Sequence, residues 1–490
     1  MGQYRTAQVQ RIETQVAVVG AGAAGLYTAL RAARAGARVT LVSATPLAES
    51  SSYWAQGGLA AALASDDTPE RHLADTVTAG RGLVRESAAR ILCDEAPAAV
   101  EDLAALGVQF DADRRGRFAL GLEGGHSARR VVHAGGAATG RRVIRQLSAL
   151  VAQDPRIAVL EQRRVVQITS RDGIATGARL ADGGRVAAPA TILATGGAAA
   201  LWARTTNPTG AVGGGLLLAH YAGAELADLE LMQFHPTAVV GENGADGFLV
   251  TEAVRGEGAR LLDASGERFV DELAPRDEVA LAIAQLLQST GARSVGLDMR
   301  DVDAALFPNV VSALRRAGID PERELVPVAP AAHYMMGGIA TDLHGQTSVP
   351  GLFAVGECSC TGLHGANRLA SNSLTECFVF GARAAQATLS VAPPGLPGRD
   401  DAPAAPRPEL TAATRRALWE LAGLERSGDG LRMLATDPHP LARLVAAAAL
   451  ARRESRGAHQ RTDYPRPERA LDAVHVMLDA QAAPRLEHWT

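Results

Sequence analysis

The 490-residue sequence predicts an α/β fold: a Rossmann-like domain, an inserted α+β capping domain, and a C-terminal helical bundle. Three observations predict it. A strand–turn–helix–strand unit stands near the N-terminus, and two strands of the same kind recur far along the chain. A Pro- and Ala-rich stretch then separates a final run of helical segments.

The run Gln15-Val16-Ala17-Val18-Val19 is continuously apolar and β-branched, as a strand buried on both faces of a parallel sheet must be. It leads into Gly20-Ala21-Gly22-Ala23-Ala24-Gly25, a helical pattern, and the second strand Arg38-Val39-Thr40-Leu41-Val42. This is the dinucleotide fingerprint in its proper setting. Gly20 serves the turn, Gly22 the close approach of a pyrophosphate, and Gly25 the packing of helix on strand. The second strand ends in Ser43-Ala44 where an acid usually meets the ribose, so adenosine binding is expected to lean on Ser43 or on backbone groups.

Ala190-Thr191-Ile192-Leu193-Ala194-Thr195-Gly196-Gly197 and Gly351-Leu352-Phe353-Ala354-Val355-Gly356-Glu357 extend the same sheet, with Glu357 placed to meet a ribityl hydroxyl. Returning to the nucleotide fold so late implies an insertion. The sequence divides into a nucleotide-binding domain over residues 1–228 and 335–392, an inserted capping domain over 229–334, a linker over 393–408, and a helical domain over 409–490. Within the last, residues 409–422, 431–435 with 441–453, and 466–480 are predicted helical.

Composition narrows the function. With 47% hydrophobic residues, 51 Gly and only 4% aromatics, the chain suits an α/β enzyme of short loops and Ala-rich helices. A net charge of −4 gives no reason to expect nucleic acid or an anionic membrane. The basic side is all arginine. Without Lys there is no Schiff-base catalyst, no lysine nucleophile and no Walker-type phosphate loop. Cys93, Cys358, Cys360 and Cys377 have neither disulfide-framework nor zinc spacing, so reduced cytoplasmic thiols are expected. The polar start of the chain is no signal peptide, and no apolar stretch is long enough to span a bilayer.

Two segments concentrate chemistry. Ser50-Ser51-Ser52-Tyr53-Trp54-Ala55-Gln56-Gly57-Gly58 offers hydroxyls, an amide and bare backbone able to wrap a ring system; a mobile surface loop is the plain alternative. His364-Gly365-Ala366-Asn367-Arg368-Leu369-Ala370-Ser371-Asn372-Ser373-Leu374-Thr375-Glu376 puts a cation beside a helix start. Arg368 can fork onto a carboxylate. Ser371, Asn372 and Ser373 read as N-cap residues, and the helix N-terminus near Ser373 and Leu374 attracts negative charge.

These motifs resemble one superfamily, that of fumarate reductase and succinate dehydrogenase flavoproteins and L-aspartate oxidase. The resemblance rests on the Gly20 to Gly25 turn, Ala55-Gln56-Gly57-Gly58, Gln233-Phe234-His235-Pro236-Thr237 and Thr251-Glu252-Ala253-Val254-Arg255-Gly256-Glu257-Gly258. It continues through Ala274-Pro275-Arg276-Asp277, His333-Tyr334-Met335-Met336-Gly337-Gly338, the Arg368 segment, and Arg453-Glu454-Ser455-Arg456-Gly457 to Asp463-Tyr464-Pro465. It implies FAD bound by the turn glycines with Ala21, Ala23 and Ala24, by Ser43, by Ser51, Ser52, Tyr53, Trp54 and the following Ala-Gln-Gly-Gly, and by Glu357, Ser373 and Leu374. It also implies a dicarboxylate clamp of His235, Thr251, His333 and Arg368. Arg276 resembles the family's proton-relay arginine, with Glu252 and Arg255 as its network; Arg276, His235 and Glu252 are the expected catalytic residues.

Two features point to the aspartate-oxidising branch. Tyr53 and Trp54 stand where the reductases carry a flavin-linked histidine, so FAD is expected without a covalent bond. Glu123-Gly124-Gly125-His126-Ser127 resembles the oxidase loop, and a carboxylate there answers the α-ammonium that distinguishes aspartate from succinate. The resemblance implies hydride transfer from the substrate Cα to flavin N5, giving iminoaspartate, with O2 or fumarate as acceptor. It places the reaction at the opening of NAD biosynthesis in the cytoplasm, with a transient hand-off to quinolinate synthase. Arginine is a poor base, so Arg276 is expected to act as an acid toward fumarate.

Two departures stand against the family pattern: Gly213-Gly214-Gly215 lacks an expected acid, and the C-terminal domain looks short. The rival readings are a soluble fumarate reductase or succinate dehydrogenase flavoprotein, and a flavin-binding subunit that docks a separate iron–sulfur partner. Individually, His235 has the reading of a satisfied core histidine, Glu123 of a solvated acid, and Arg276 of a partner to Asp277 or Glu278.

Overall fold

The computed structural model describes residues 11–241, 246–392 and 409–490. The linker expected over 393–408 lies outside the described residues.

Five parallel strands form the central sheet, in the order Leu352–Ala354, Ala190–Leu193, Val16–Val19, Val39–Val42, Ile157–Leu160. The first four are buried along their whole length, which is why they read as unbroken apolar runs. The chain enters at Val16–Val19, steps to one side at Val39–Val42, and returns on the other at Ala190–Leu193. That reversal opens a crevice beyond the carboxyl ends of the strands, where ligands of such sheets bind.

Helices Ala23–Arg34 and Asn372–Thr388 pack together beside this sheet. Tyr27 meets Phe378 edge-on at 5.2 Å, and a Cβ at Gly381 would stand 2.7 Å from Thr28 Oγ1. The two helices therefore bring the first turn and the Arg368 segment to the same crevice. A smaller four-stranded sheet, Arg11–Glu13, Arg185–Ala187, Ile174–Leu180 and Val165–Arg171, lies to the side.

Between the returning strands lies an antiparallel sheet in the order Met232–Val239, Val326–Met335, Val295–Asp298, Arg260–Leu262. With helices Arg276–Thr290 and Pro308–Arg316 it encloses its own core, including Val239, Leu261, Ile283, Leu314 and Val328.

The tail differs in part from the sequence reading. Helices Ala412–Leu421, Gly428–Leu434 and Pro440–Ala451 form as expected, but residues 466–480 are not helical. A 3-10 turn at Arg469–Leu471 gives way to strand Val474–Leu478, which pairs antiparallel with both Leu226–Ala227 and Pro484–His488. The β-branched Val474 and Val476 favour a strand, and the free edge at Leu226 supplies a partner. Tertiary context decides the outcome, because His475 Nδ1 reaches Asp228 Oδ2 at 2.5 Å. Beside it the buried Arg452 contacts Glu230 at 2.7 Å, Glu454 at 3.1 Å and Asp228 at 3.4 Å. Paired charges of this kind hold the tail in one register, since either sign alone would be prohibitive to bury. No helix among the described residues is long and apolar enough to cross a membrane.

Candidate functional site

The cradle at the first turn follows from steric limits. Gly20 has φ +112°, and a Cβ there would sit 2.2 Å from Ala194 O. At Gly25 a Cβ would sit 1.9 Å from Gly20 O, so the helix packs directly on its own turn. Gly22 differs: an added Cβ would come near only Ser52 Oγ, at 3.2 Å. Its surroundings leave room for a phosphate to approach the backbone and the first N–H groups of helix Ala23–Arg34. Ser52 Oγ accepts from Ala23 N–H at 3.2 Å, tying the 50–58 loop to that turn. Ala21, Ala23 and Ala24 are buried there, and Ser43 is buried at the carboxyl end of the second strand.

The loop itself is a short 3-10 turn, Ser51–Trp54, followed by extended chain. Trp54 is 67% exposed and meets Tyr53 edge-on at 5.3 Å; Arg145 donates to the Tyr53 hydroxyl at 3.3 Å. Ala55 O accepts from Gly140 N–H, and Gln56 Nε2 donates to Leu249 O at 2.9 Å. Gln56 Oε1 and Ser50 Oγ are buried without a protein partner. Glu357 lies against the bare Cα of Gly197 and accepts from Met335 N–H at 3.1 Å. An open glycine cradle, unpartnered buried acceptors and a buried acid along one crevice fit an extended dinucleotide bearing a fused ring. A side chain at Gly214 would meet nothing within 4 Å, so the place of the missing acid is empty space.

Across the crevice lies a cluster of cations. Arg276, at the start of its helix, donates to Glu252 Oε2 at 2.6 Å and to Gln233 Oε1 at 3.1 Å. Arg368 donates to the same Gln233 Oε1 at 3.2 Å and to Ser373 Oγ at 2.7 Å, and lies 4.5 Å above the Tyr334 ring. Gln233 Nε2 is fixed by Asn367 Oδ1 and Arg368 O. Arg255, fully buried, stands 3.4 Å from Glu252 Oε1. Arg276 therefore does not pair with Asp277 or Glu278; both of those acids bond Arg81 instead.

His235 and His333 face each other edge-on at 5.1 Å. The Thr237 amide donates to His235 Nδ1 at 3.3 Å, which assigns the proton to Nε2; His333 Nδ1 contacts Thr206 Oγ1 at 2.8 Å. Burial pushes both imidazoles well below their ordinary values, with Arg276 adding to the effect, so both are neutral. Burial and neighbouring Arg276 pull Arg368 down to about 10. Burial pushes the Glu252 carboxyl up, but Arg276 and Arg255 outweigh it and hold the group below its ordinary value. Thr251 is buried one residue before Glu252. Arg276 and Arg255 thus flank the one carboxylate of Glu252, and Arg368 bonds only neutral groups, Gln233 and Ser373, which leaves it available to an anion.

Glu123 is buried, not solvated. Ser371 Oγ donates to its Oε2 at 2.6 Å, while Oε1 has no protein partner. Its loop is pressed against the cationic cluster: a Cβ at Gly124 would sit 2.1 Å from Glu252 Oε1. Here the N-cap expectation is corrected. Ser371 occupies the cap position of helix Asn372–Thr388 with φ +61°, and no side chain caps the helix. Ser371 serves Glu123 and Gly58 N–H, Asn372 serves His72 and Thr76, and Ser373 serves Arg368. The backbone donors of the helix start are thus left uncapped by any side chain, an arrangement that suits an anion. Gln233 and Tyr334 were given no role by the sequence. The signal for Gln233 was its position two residues before His235 on a strand, which puts both side chains on one face.

Among known proteins, residues 15–374 match the FAD binding domain family and residues 435–488 the fumarate reductase flavoprotein C-terminal family. An L-aspartate oxidase of Streptomyces coelicolor is 43% identical over 95% of this chain and 91% of its own length. One of Caulobacter vibrioides is 44% identical over 95% and 96%. Among solved structures, the FrdA chain of E. coli quinol fumarate reductase superposes with a TM-score of 0.88 at 29% identity, covering 98% of this chain and 97% of that one. Mycobacterium smegmatis Sdh1 gives 0.81 at 30% identity, covering 96% and 92%.

Burial lifts the Glu357 carboxyl from 4.5 to about 7. A carboxyl with a higher pKa in the fold binds its proton more tightly there than when unfolded. Its contribution to stability is therefore full below the unfolded value and is lost as pH rises toward 7. In ligand-free protein, Glu357→Gln should remove that part of the decline: the variant's melting temperature gains on the parent's from about pH 5 to about pH 7.5. Parallel melting curves across that range would contradict the assignment.

Proposed function

This chain belongs to the L-aspartate oxidase family of FAD-binding flavoproteins, and from that premise we propose that it oxidises L-aspartate to iminoaspartate at the cationic cluster facing the glycine cradle. The observation that carries the reading is the pairing of a dianion site with one buried, half-bonded acid. Arg368, His235, His333 and Thr251 take the two carboxylates. Glu123 takes the α-ammonium on Oε1, the oxygen that Ser371 leaves free. A charge-assisted hydrogen bond from that ammonium satisfies a buried atom that succinate would leave unmet.

The Gly20 to Gly25 turn, Ser43, the 51–58 loop, Glu357 and the helix start at Ser373 and Leu374 would hold FAD along the crevice, where it would supply the two-electron oxidant. O2, giving hydrogen peroxide, or fumarate takes the electrons onward. The protein's own part is to orient and to exclude water. The clamp fixes the carboxylates so that Cα presents its C–H bond to the crevice. The neutral histidines donate through N–H without adding charge. Arg276, held by Glu252 and Gln233, is positioned to deliver a proton when fumarate is reduced, with Arg255 behind Glu252 as the next group in line. As Cα gives up its hydride the ammonium gives up one proton to Glu123 Oε1, the carboxylate oxygen against which it lies, leaving the protonated imine; no stronger base is needed.

FAD is held without a covalent bond, since the 50–58 loop carries no histidine. The enzyme works in the cytoplasm, where its four buried, unpaired cysteines stay reduced. Iminoaspartate hydrolyses readily, which favours a brief hand-off to quinolinate synthase in the synthesis of NAD.

Anaerobic bleaching of the yellow protein by L-aspartate, compared with succinate, tests the function; equal rates would transfer the chain to the soluble fumarate reductase reading. Glu123→Gln should weaken L-aspartate on the order of a hundredfold while changing fumarate reduction by less than about threefold. Equal losses would remove the ammonium role. Arg368→Leu should abolish bleaching with the flavin absorbance intact, and loss of the flavin with activity would contradict its place in the clamp. Acid precipitation should release all the flavin into the supernatant; colour kept in the pellet would show a covalent link.

A further inference from the structure

The two substrate-facing arginines sit on different parts of the chain, Arg276 on the inserted unit and Arg368 beside the central sheet. Their separation must be held for a dicarboxylate clamped by Arg368 to lie within reach of Arg276, its proton donor. One short loop touches both segments. Gly80 O accepts from Ala366 N–H at 3.0 Å, two residues before Arg368. A Cβ at Gly365 would stand 2.5 Å from Gly80 O, so loop and segment are in direct backbone contact. The next residue, Arg81, reaches the other way. Its Nε donates to Asp277 Oδ2 at 2.9 Å and its Nη2 to Asp277 Oδ1 at 3.1 Å, with a further bond to Glu278. Asp277 and Glu278 are the residues that follow Arg276 in the first turn of its helix.

Two further observations mark Arg81 as more than a surface pair. Its φ is +56°, a left-handed conformation that a residue with a side chain adopts at a cost and keeps only where its surroundings enforce it. The enforcing contacts come from the tail: Arg456 Nη1 donates to Arg81 O at 2.8 Å, and Ala473 N–H donates to Gly82 O at 2.8 Å. The Asp277 side chain is only 7% exposed, so the fork is shielded from water and salt on the acid's side. A fork of this geometry fixes orientation as well as distance.

We propose that Arg81 is a positioning residue that latches the first turn of helix Arg276–Thr290 to the central unit, and so sets the spacing of Arg276 from Arg368 without itself touching substrate. The proposal rests on the dicarboxylate reading of the site. It predicts a defect in substrate capture, because Arg276 stays in the molecule but is no longer held over the clamp.

Arg81→Met keeps the length of the side chain and removes the fork, and Arg81→Lys restores a single point charge. Hydrogen exchange in the peptide spanning residues 276–290 should quicken about tenfold in the Met variant and recover part of the way in the Lys variant. KM for L-aspartate should rise about tenfold in the Met variant with kcat within about twofold, while fumarate reduction, which takes its proton from Arg276, should lose kcat as well; Lys should recover part of each change. Flavin content should match the parent, while the melting temperature of the Met variant falls because Asp277 loses its partner, and Lys recovers part of that fall. Unchanged exchange over 276–290 in the Met variant would overturn the latch. So would loss of flavin and kcat together in both variants, the pattern of a merely structural residue. Should the parent itself fail to be bleached by L-aspartate, the functional reading falls, while the exchange comparison still judges the latch.

Discussion

The structure depends on one shared hydrogen-bond acceptor. Gln233 Oε1 takes a bond from Arg276 and another from Arg368, joining two guanidinium groups that would otherwise repel in a buried setting. A neutral amide oxygen is well chosen for this. A carboxylate there would neutralise the cluster and remove its reason to bind an anion. An apolar residue would leave two donors unmet and the charges unrestrained. With Glu252 as the single acid on Arg276, the cluster keeps a surplus of positive charge that a dicarboxylate discharges. Burial, and after it the charge of Arg276, lowers the pKa of the Arg368 guanidinium.

That constraint explains how the chain is folded around it. Gln233, His235 and His333 lie on two adjacent strands of the antiparallel sheet, Arg276 on a helix packed against them, and Arg368 on the segment that leads into the helix beside the central sheet. No single element supplies the clamp. The loop at 80–82 and the tail at 452–475 therefore matter to the site, since they fix the parts against one another through buried charges. The crevice at the strand ends would exist without them, but its two walls would be free to drift.

Much of this was legible in the sequence because its physical cause is local. Gly20 and Gly25 are required by carbonyl oxygens within 2.2 Å of any Cβ, and the apolar runs are required by burial on both faces of the sheet. What escaped reading is settled by partners distant in sequence. Ser371 has the chemistry of a helix cap, yet its hydroxyl is taken by Glu123, 248 residues away. Residues 474–478 have an ambiguous pattern, and the edge at Leu226 with Asp228 decides for a strand. The pairing of Asp277 and Glu278 with Arg81, and not with Arg276, likewise depends on a loop some two hundred residues earlier.

The cationic cluster cannot by itself choose among dicarboxylates: Arg368 and the two neutral histidines are proposed to answer carboxylates alone, and the charge of Arg276 favours any dianion. Selection has to come from a group that only one substrate satisfies. The role proposed for Glu123 has support in its hydrogen bonds: Ser371 occupies Oε2, Gly57 presents no side chain to Oε1, and the remaining oxygen is buried without a donor. An unmet buried acceptor is unfavourable in the empty site and is relieved by an ammonium, so its cost is turned into discrimination. Succinate and fumarate offer no donor there and leave the cost in place. On the proposed reading the same site takes fumarate as an electron acceptor while favouring aspartate as a donor, because both fit the clamp but only aspartate completes the bonding of Glu123.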